Sequence, residues 1–273
     1  METEELIVAC KVSGHRVLNI SNRNIMVIPD SLTMLTHLRV LLMNDNNLVM
    51  PPAELTSIKN LVELTLDHNQ LTMLPSGLNA LKKLVYLNIS HNPLVYLSPE
   101  IGQIRTLTEL WAVNIRIDTL PACIGDLIHL EKLSVRANKL SALPSEICKL
   151  RNLKWLSVAE NNLCDFPTNF GRLKRLVYLN AESNAFTTVP ECLIDLTDLS
   201  CLSMRRNDIG DLSDDLILGL SHLWKFDLRD TLIKDPPNHW KGFTHIKLSI
   251  PEERLKSETE ESDESLSDAS EPP

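Results

Sequence analysis

The sequence predicts an α/β solenoid, a curved horseshoe of about ten stacked coils with a parallel β-sheet on its concave side. Three observations carry that prediction. A phrase, L-x-x-L-x-L-x-x-N-x-L-x-x-L-P, returns ten times, opening at His15, Leu38, Leu61, Leu84, Leu107, Leu130, Leu153, Leu176, Leu199 and Leu223. Eight of the nine steps are 23 residues and the last is 24, the extra residue lying within Leu216–Leu220. A fixed period in this range marks a stacked array rather than a closed globule. Finally, each copy places two leucines two residues apart, as at Leu64 and Leu66, so both point to one side of an extended segment.

Each element of the coil follows from the phrase. After the strand, Leu71, Leu74, Leu78 and Leu81 no longer alternate and suit a return path of turns or short helix with an inward apolar edge. One coil cannot bury so many leucines alone, whereas neighbours covering one another can. Seven copies carry the Asn of the phrase: Asn46, Asn69, Asn92, Asn138, Asn161, Asn184 and Asn207. Where the chain leaves the strand, backbone groups need new partners, and a carboxamide both donates and accepts. Arg23, Ile115 and Thr231 replace Asn in the other three, which predicts looser or differently bonded turns there. Pro29, Pro52, Pro75, Pro121, Pro144, Pro167, Pro190 and Pro237 all follow a strand, where a missing N–H does no harm.

The ends complete the organisation. A stack exposes the apolar face of its terminal coils unless something covers them. Residues 1–14, with the apolar run Leu6–Val12, are read as the leading cap and 15–239 as the solenoid. Residues 240–250, with Trp240, Phe243, Ile246, Leu248 and Ile250, are read as the trailing cap. The segment 251–273 is rich in Glu, Ser and Asp and has too little apolar content to fold, so it reads as a disordered tail.

Composition narrows the function classes. The formal charge is −9, of which −7 falls between Glu252 and Glu271, where nine acids face Arg254 and Lys256. No basic stripe exists to recruit nucleic acid or an anionic membrane. The acidic start Met1–Glu5 is not expected to act as a signal peptide, and no apolar run is long enough to span a bilayer. The six cysteines lack a clustered framework, which points to a reducing, cytoplasmic setting. Asn19-Ile20-Ser21 and Asn88-Ile89-Ser90 match the glycosylation triplet but fall in strands and are discounted.

The copies Leu120-Pro121-Ala122-Cys123-Ile124-Gly125-Asp126-Leu127 and Leu143-Pro144-Ser145-Glu146-Ile147-Cys148-Lys149-Leu150 resemble the intracellular leucine-rich-repeat proteins of the Ras group. The likeness runs from about His15 to Pro237 and is similar to the Ras-suppressor and Shoc/Sur type scaffolds. The resemblance implies a leucine-rich-repeat solenoid acting as a non-catalytic scaffold in signal transduction, with a small GTPase, a phosphatase or a kinase as protein partner. An alternative within the same resemblance is a regulatory subunit that holds a phosphatase or kinase. Fold alone does not name the ligand. No short basic-Val-x-Phe docking segment stands in the tails, so a phosphatase would have to use the concave face. No cofactor is implied, and a monomer is expected.

Candidate binding residues come from the outward strand positions. Tyr86, Trp111, Trp155 and Tyr178 stand there on coils four to eight, in a chain with only twelve aromatic Phe, Trp and Tyr residues. Trp, Tyr and Arg dominate interface energies, so these four, extended by Arg136, Arg205, Arg206 and Arg229, form the expected footprint. The competing reading is that the rings stack along the column and only stiffen it.

Other chemistry is sparse. Asp45, His68 and His91 recur at one position on three successive coils and are of zinc-ligand type, although Ser-His-Asn is ordinary filler here, so no metal is expected. Neither a Gly-rich phosphate loop nor His-Glu-x-x-His nor G-x-S-x-G is present, so no catalytic residue is assigned. Ser257 and Ser265 each precede an acid by three residues, the spacing acid-directed kinases favour. Phosphates there would compete for the Arg patch, unless the tail merely solubilises.

Overall fold

In the computed structural model, residues 3–234, 237, 240 and 242–249 are described. Among these residues, eleven short strands pair in parallel and in sequence order to make one sheet, from β1 (Val17–Asn19) to β11 (Ile246–Lys247). The registers are offset by one repeat, so Leu110 of β5 (Glu109–Trp111) sits beside Leu133 of β6 (Lys132–Ser134). Leu156 of β7 (Trp155–Ser157) and Leu179 of β8 (Tyr178–Asn180) continue the same row. These leucines are fully buried, as are Leu64 and Leu66, Leu71 and Leu81. The inward columns therefore close over one another, and the other face of the sheet stays open.

The return path is built largely of short 3₁₀ helices. Pro121 and Pro144 stand in extended geometry before Ala122–Asp126 and Ser145–Lys149. Their carbonyls accept from Ile124 and Ile147 at 2.9 and 3.0 Å. Pro is suited to this place because its fixed φ sets the entry and it has no N–H to leave unpaired. Coils pack backbone against backbone on this side. A Cβ added to Gly102 would meet the Cys123 carbonyl, and one on Gly125 the Glu146 carbonyl.

The asparagines bond as a ladder between coils. The Asn138 amide donates to the Ala112 and Val135 carbonyls at 2.9 and 2.8 Å. Its oxygen accepts from the Ile115 and Ile117 amides. Asn46, Asn69, Asn92, Asn161, Asn184 and Asn207 repeat the arrangement. Where Ile115 replaces Asn, it is fully buried, and the coil before it turns differently. Leu94 N–H donates to the Asn92 carbonyl and Tyr96 N–H to the Leu94 carbonyl, with Val95 at φ +66°. Thr231 instead donates its hydroxyl to the Leu228 carbonyl at 2.8 Å.

The leading run is an α-helix, α1 (Thr3–Ser13), burying Ile7 and Cys10. At the other end, Trp240 is buried, and Phe243, Ile246 and Leu248 pack on the core. This end differs from a bare cap, because β11 adds a strand to β10 (Lys225–Asp227) through Phe226↔Ile246. Ile250 and the tail 251–273, with Ser257 and Ser265, lie outside the described residues.

Candidate concave interface

Each three-residue strand has one inward leucine, or Phe226 in β10, flanked by two outward side chains, so the open face is written by the flanking residues. Tyr86, Trp111, Trp155 and Tyr178 all lie on it, half-buried. Trp111 and Trp155 meet with ring centroids 5.2 Å apart at 42°, and Trp155 stacks on Tyr178 at 5.3 Å and 3°. Trp111 is on β5 and Trp155 on β7, so their contact crosses β6. Of the two outward residues there, Lys132 turns to Glu109, and Ser134, only 2% exposed, is small enough to leave room for the rings above it. Three of the expected anchors thus form one stacked ladder with a solvent-facing side. Stacking and exposure occur together.

Tyr86 stands apart, amid carboxylates. Burial raises its phenol pKa, and the charges of Asp67, Glu109 and Glu63 raise it further. Glu109 ties this acidic region to the ladder. One of its oxygens accepts from Trp111 Nε1 at 3.4 Å, and the other meets Lys132 Nζ at 3.0 Å.

The four arginines do not form a free cationic patch. Arg136 Nε donates to Glu160 at 3.1 Å. Arg205 Nη2 is 2.6 Å from Asp230, which Arg206 also approaches at 3.7 Å. Arg229 grips Asp227 with Nε and Nη2 at 2.9 and 2.7 Å. Asp227 is buried, which pushes its carboxyl up, but the Arg229 hydrogen bonds and charge with Lys225 outweigh burial and hold it below its usual value. Most of these pairs are exposed, and pairs of that kind are weak enough to exchange for a partner's carboxylates.

The Asp45, His68 and His91 column is real but does not converge. His68 and His91 stack with centroids 4.2 Å apart. His68 Nδ1 lies 3.1 Å from Asp67 and 4.0 Å from Asp45, while His91 Nδ1 contacts the Asn114 amide at 3.3 Å. Face-to-face rings aim their nitrogens side by side rather than at one point. Burial and then the His68 charge hold the His91 pKa down. The column has a backbone role instead: Asn22, Asp45, His68, His91, Asn114, Ala137, Glu160, Ser183, Arg206 and Asp230 all have φ between 51° and 59°. Asn and Asp tolerate this left-handed turn best, which explains part of its composition.

Comparison with known proteins agrees with this geometry. Residues 121–233 match the model of a leucine-rich repeat region. A leucine-rich-repeat protein of Leptospira interrogans is 29% identical, over 86% of this chain and 66% of that one, with a TM-score of 0.77. The fold is the leucine-rich-repeat solenoid. A similar solenoid occurs in a plant peptide hormone receptor, RGFR1, solved in complex with RGF2 (25% identity, 85% and 38% of the two chains, TM-score 0.68). The TLR13–ssRNA13 complex shares the fold at 23% identity, over 86% and 36% of the chains, with a TM-score of 0.72. Among curated proteins, none matches the sequence. No helix among the described residues is long and apolar enough to cross a membrane.

Sequence reasoning passed over Trp224, which is 75% exposed. It stands one residue before β10, outside the alternation that singled out the other rings. Reading the column before each strand, from Arg16 to Trp224, would have found it.

Proposed function

We propose that this leucine-rich-repeat solenoid is a non-catalytic scaffold that grips a protein partner on its concave face. The observation that carries the reading is the Trp111–Trp155–Tyr178 ladder, three large rings held rigidly and left half-exposed. Rings fixed in advance lose little conformational freedom on binding, and Trp and Tyr supply most interface energy. Tyr86 and the acids around it extend the footprint on one side. Arg136, Arg205, Arg206 and Arg229 extend it on the other, trading their internal carboxylates for those of the partner. All six cysteines are free thiols, which supports a reducing, cytoplasmic setting, and the role we propose there, from the resemblance of the repeats, is intracellular signalling of the Ras-group kind. Within that role the partner is a small GTPase, with a phosphatase or kinase as the competing assignment.

Affinity capture from cell extract, comparing the natural chain with the Trp111→Ala/Trp155→Ala double variant, tests the reading. Expected is loss of the bound protein in the variant. Capture of a phosphatase or kinase catalytic subunit would shift the role to enzyme regulation. Undiminished capture by the double variant would remove the concave face from the account.

A further inference from the structure

The two positions that follow the Asn turn and its next inward residue form columns on the outer flank of the solenoid, away from the sheet. On coils one and two they hold Met26, Val27, Val49 and Met50, exposed by 66, 76, 47 and 72%. Coil three adds Met73 at 44%, and coil four adds Val95 and Tyr96 at 61 and 54%. From coil five onward the same columns read Asp118-Thr119, Ser141-Ala142, Cys164-Asp165 and Thr187-Thr188. The fold therefore does not require large apolar residues here, since five coils do without them once Gly210-Asp211 is included.

At the exposures given, these seven side chains present roughly 700 Å², more than the ~300–600 Å² of the largest patch on an ordinary monomer. That area is close to the ~800 Å² that each partner contributes to a standard interface. Four coils at one strand spacing each make the strip about 15 Å long. None of the seven residues is charged, with Glu4 and Arg23 standing at the strip's end beside Met26 and Val27, and three are methionines, whose flexible thioether fills irregular gaps.

We infer that this flank is an interface between two copies of the chain, related by a two-fold axis passing between coils two and three. Such an axis sets Met26 and Val27 of one copy against Val95 and Tyr96 of the other, and Val49 and Met50 against Met73. Any residue pairing in such an interface is made twice, so a neutral, self-matching strip carries no charge penalty at its centre. The acidic segment after Pro251 is a poor occupant by comparison, having nine carboxylates and only Leu255 and Leu266 as large apolar residues. The inference departs from the monomer expected from sequence, and it is independent of the concave reading.

Sedimentation velocity of the full chain across the micromolar range decides it. Expected is a concentration-dependent dimer whose dissociation constant rises at least tenfold in Met50→Lys and, separately, in Val27→Lys. Both sites are exposed, so the melts of these variants stay with the natural chain and show them folded. Ala142→Lys, the same position on coil six, leaves the dimer intact, as does Trp111→Ala/Trp155→Ala. A natural chain that stays monomeric at every concentration overturns the inference, whatever else the strip binds. So does a dimer that Met50→Lys and Val27→Lys leave unchanged.

Discussion

Coils one to four and coils five to nine share an interior and differ in every surface that a partner could touch. Both halves bury the same leucine columns, and both use the Asn ladder, from Asn46 and Asn69 to Asn161 and Asn207. On the concave face the first half offers Glu63, Asp67 and Tyr86, whereas the second offers stacked rings and paired arginines. On the outer flank the order reverses, with Met50 and Val27 early and Thr119 and Ser141 late. The lesson is that the period fixes what points inward and leaves the outward columns free to specialise independently.

If the interior is common to both halves, the same cut must cost the same in each. Asn46→Ala and Asn138→Ala each strip two interior carbonyls and two amides of their buried partner. At about 1 kcal/mol per lost hydrogen bond, each is expected to lower stability by about 4 kcal/mol in chemical denaturation. A large inequality between the two would break the comparison.

The surfaces should respond differently. Trp155→Ala removes a stacked pair and a tilted one, which is expected to cost about 1–3 kcal/mol beyond the loss of burial, at roughly 0.5–1.5 kcal/mol per pair. Val40→Ala, at the equivalent place on coil two and only partly buried, should cost about 1 kcal/mol or less. The double tryptophan variant therefore melts lower than the natural chain while remaining folded, and its capture result has to be read with that shift measured.

Acid sharpens the contrast at the far end. Because Arg229 and Lys225 hold Asp227 below its usual value in the folded chain, its contribution is present at neutral pH. It is lost as pH falls below the ordinary carboxyl value and through the lower folded one. Asp227→Asn should flatten that part of the stability profile between pH 5 and pH 2, measured by thermal melts across that range. An unchanged acid limb would mean that the pair stabilises nothing.

How much of this was legible in the sequence follows from the same division. Leu110, Leu133 and Leu156 could be placed inward from spacing alone, and so could the Asn column, because stacking repeats one local solution. Tyr86, Trp111, Trp155 and Tyr178 could be placed on the open face, but not the diagonal by which Trp111 crosses Ser134 to reach Trp155. That contact depends on ring orientation and on the room left by a neighbouring strand. The pairing of Arg205 with Asp230 was hidden for a similar reason, since long side chains choose partners across coils that no period dictates. β11 was missed because Ile246-Lys247 lacks the x-L-x-L phrase and pairs only by lying against the last full coil. The apolar flank was visible in principle, at Met26, Val49 and Met50, but the strand columns alone do not contain it.

The smallest expected effect concerns the left-handed column, where individual coils differ in how well their residues suit the turn. Ala137 has φ +57° and no side chain to ease it, while Asn22 and Asn114 hold φ +56° and +51°. A left-handed conformation costs an ordinary L-residue about 1–2 kcal/mol, and Asn less. Ala137→Gly should therefore raise stability by about 0.5–1 kcal/mol, the relief exceeding the extra backbone freedom that glycine loses on folding. Asn22→Gly and Asn114→Gly should move it by a few tenths at most. Equal gains at all three sites would show that the turn is set by the inter-coil hydrogen bonds alone, with the resident side chain making no difference.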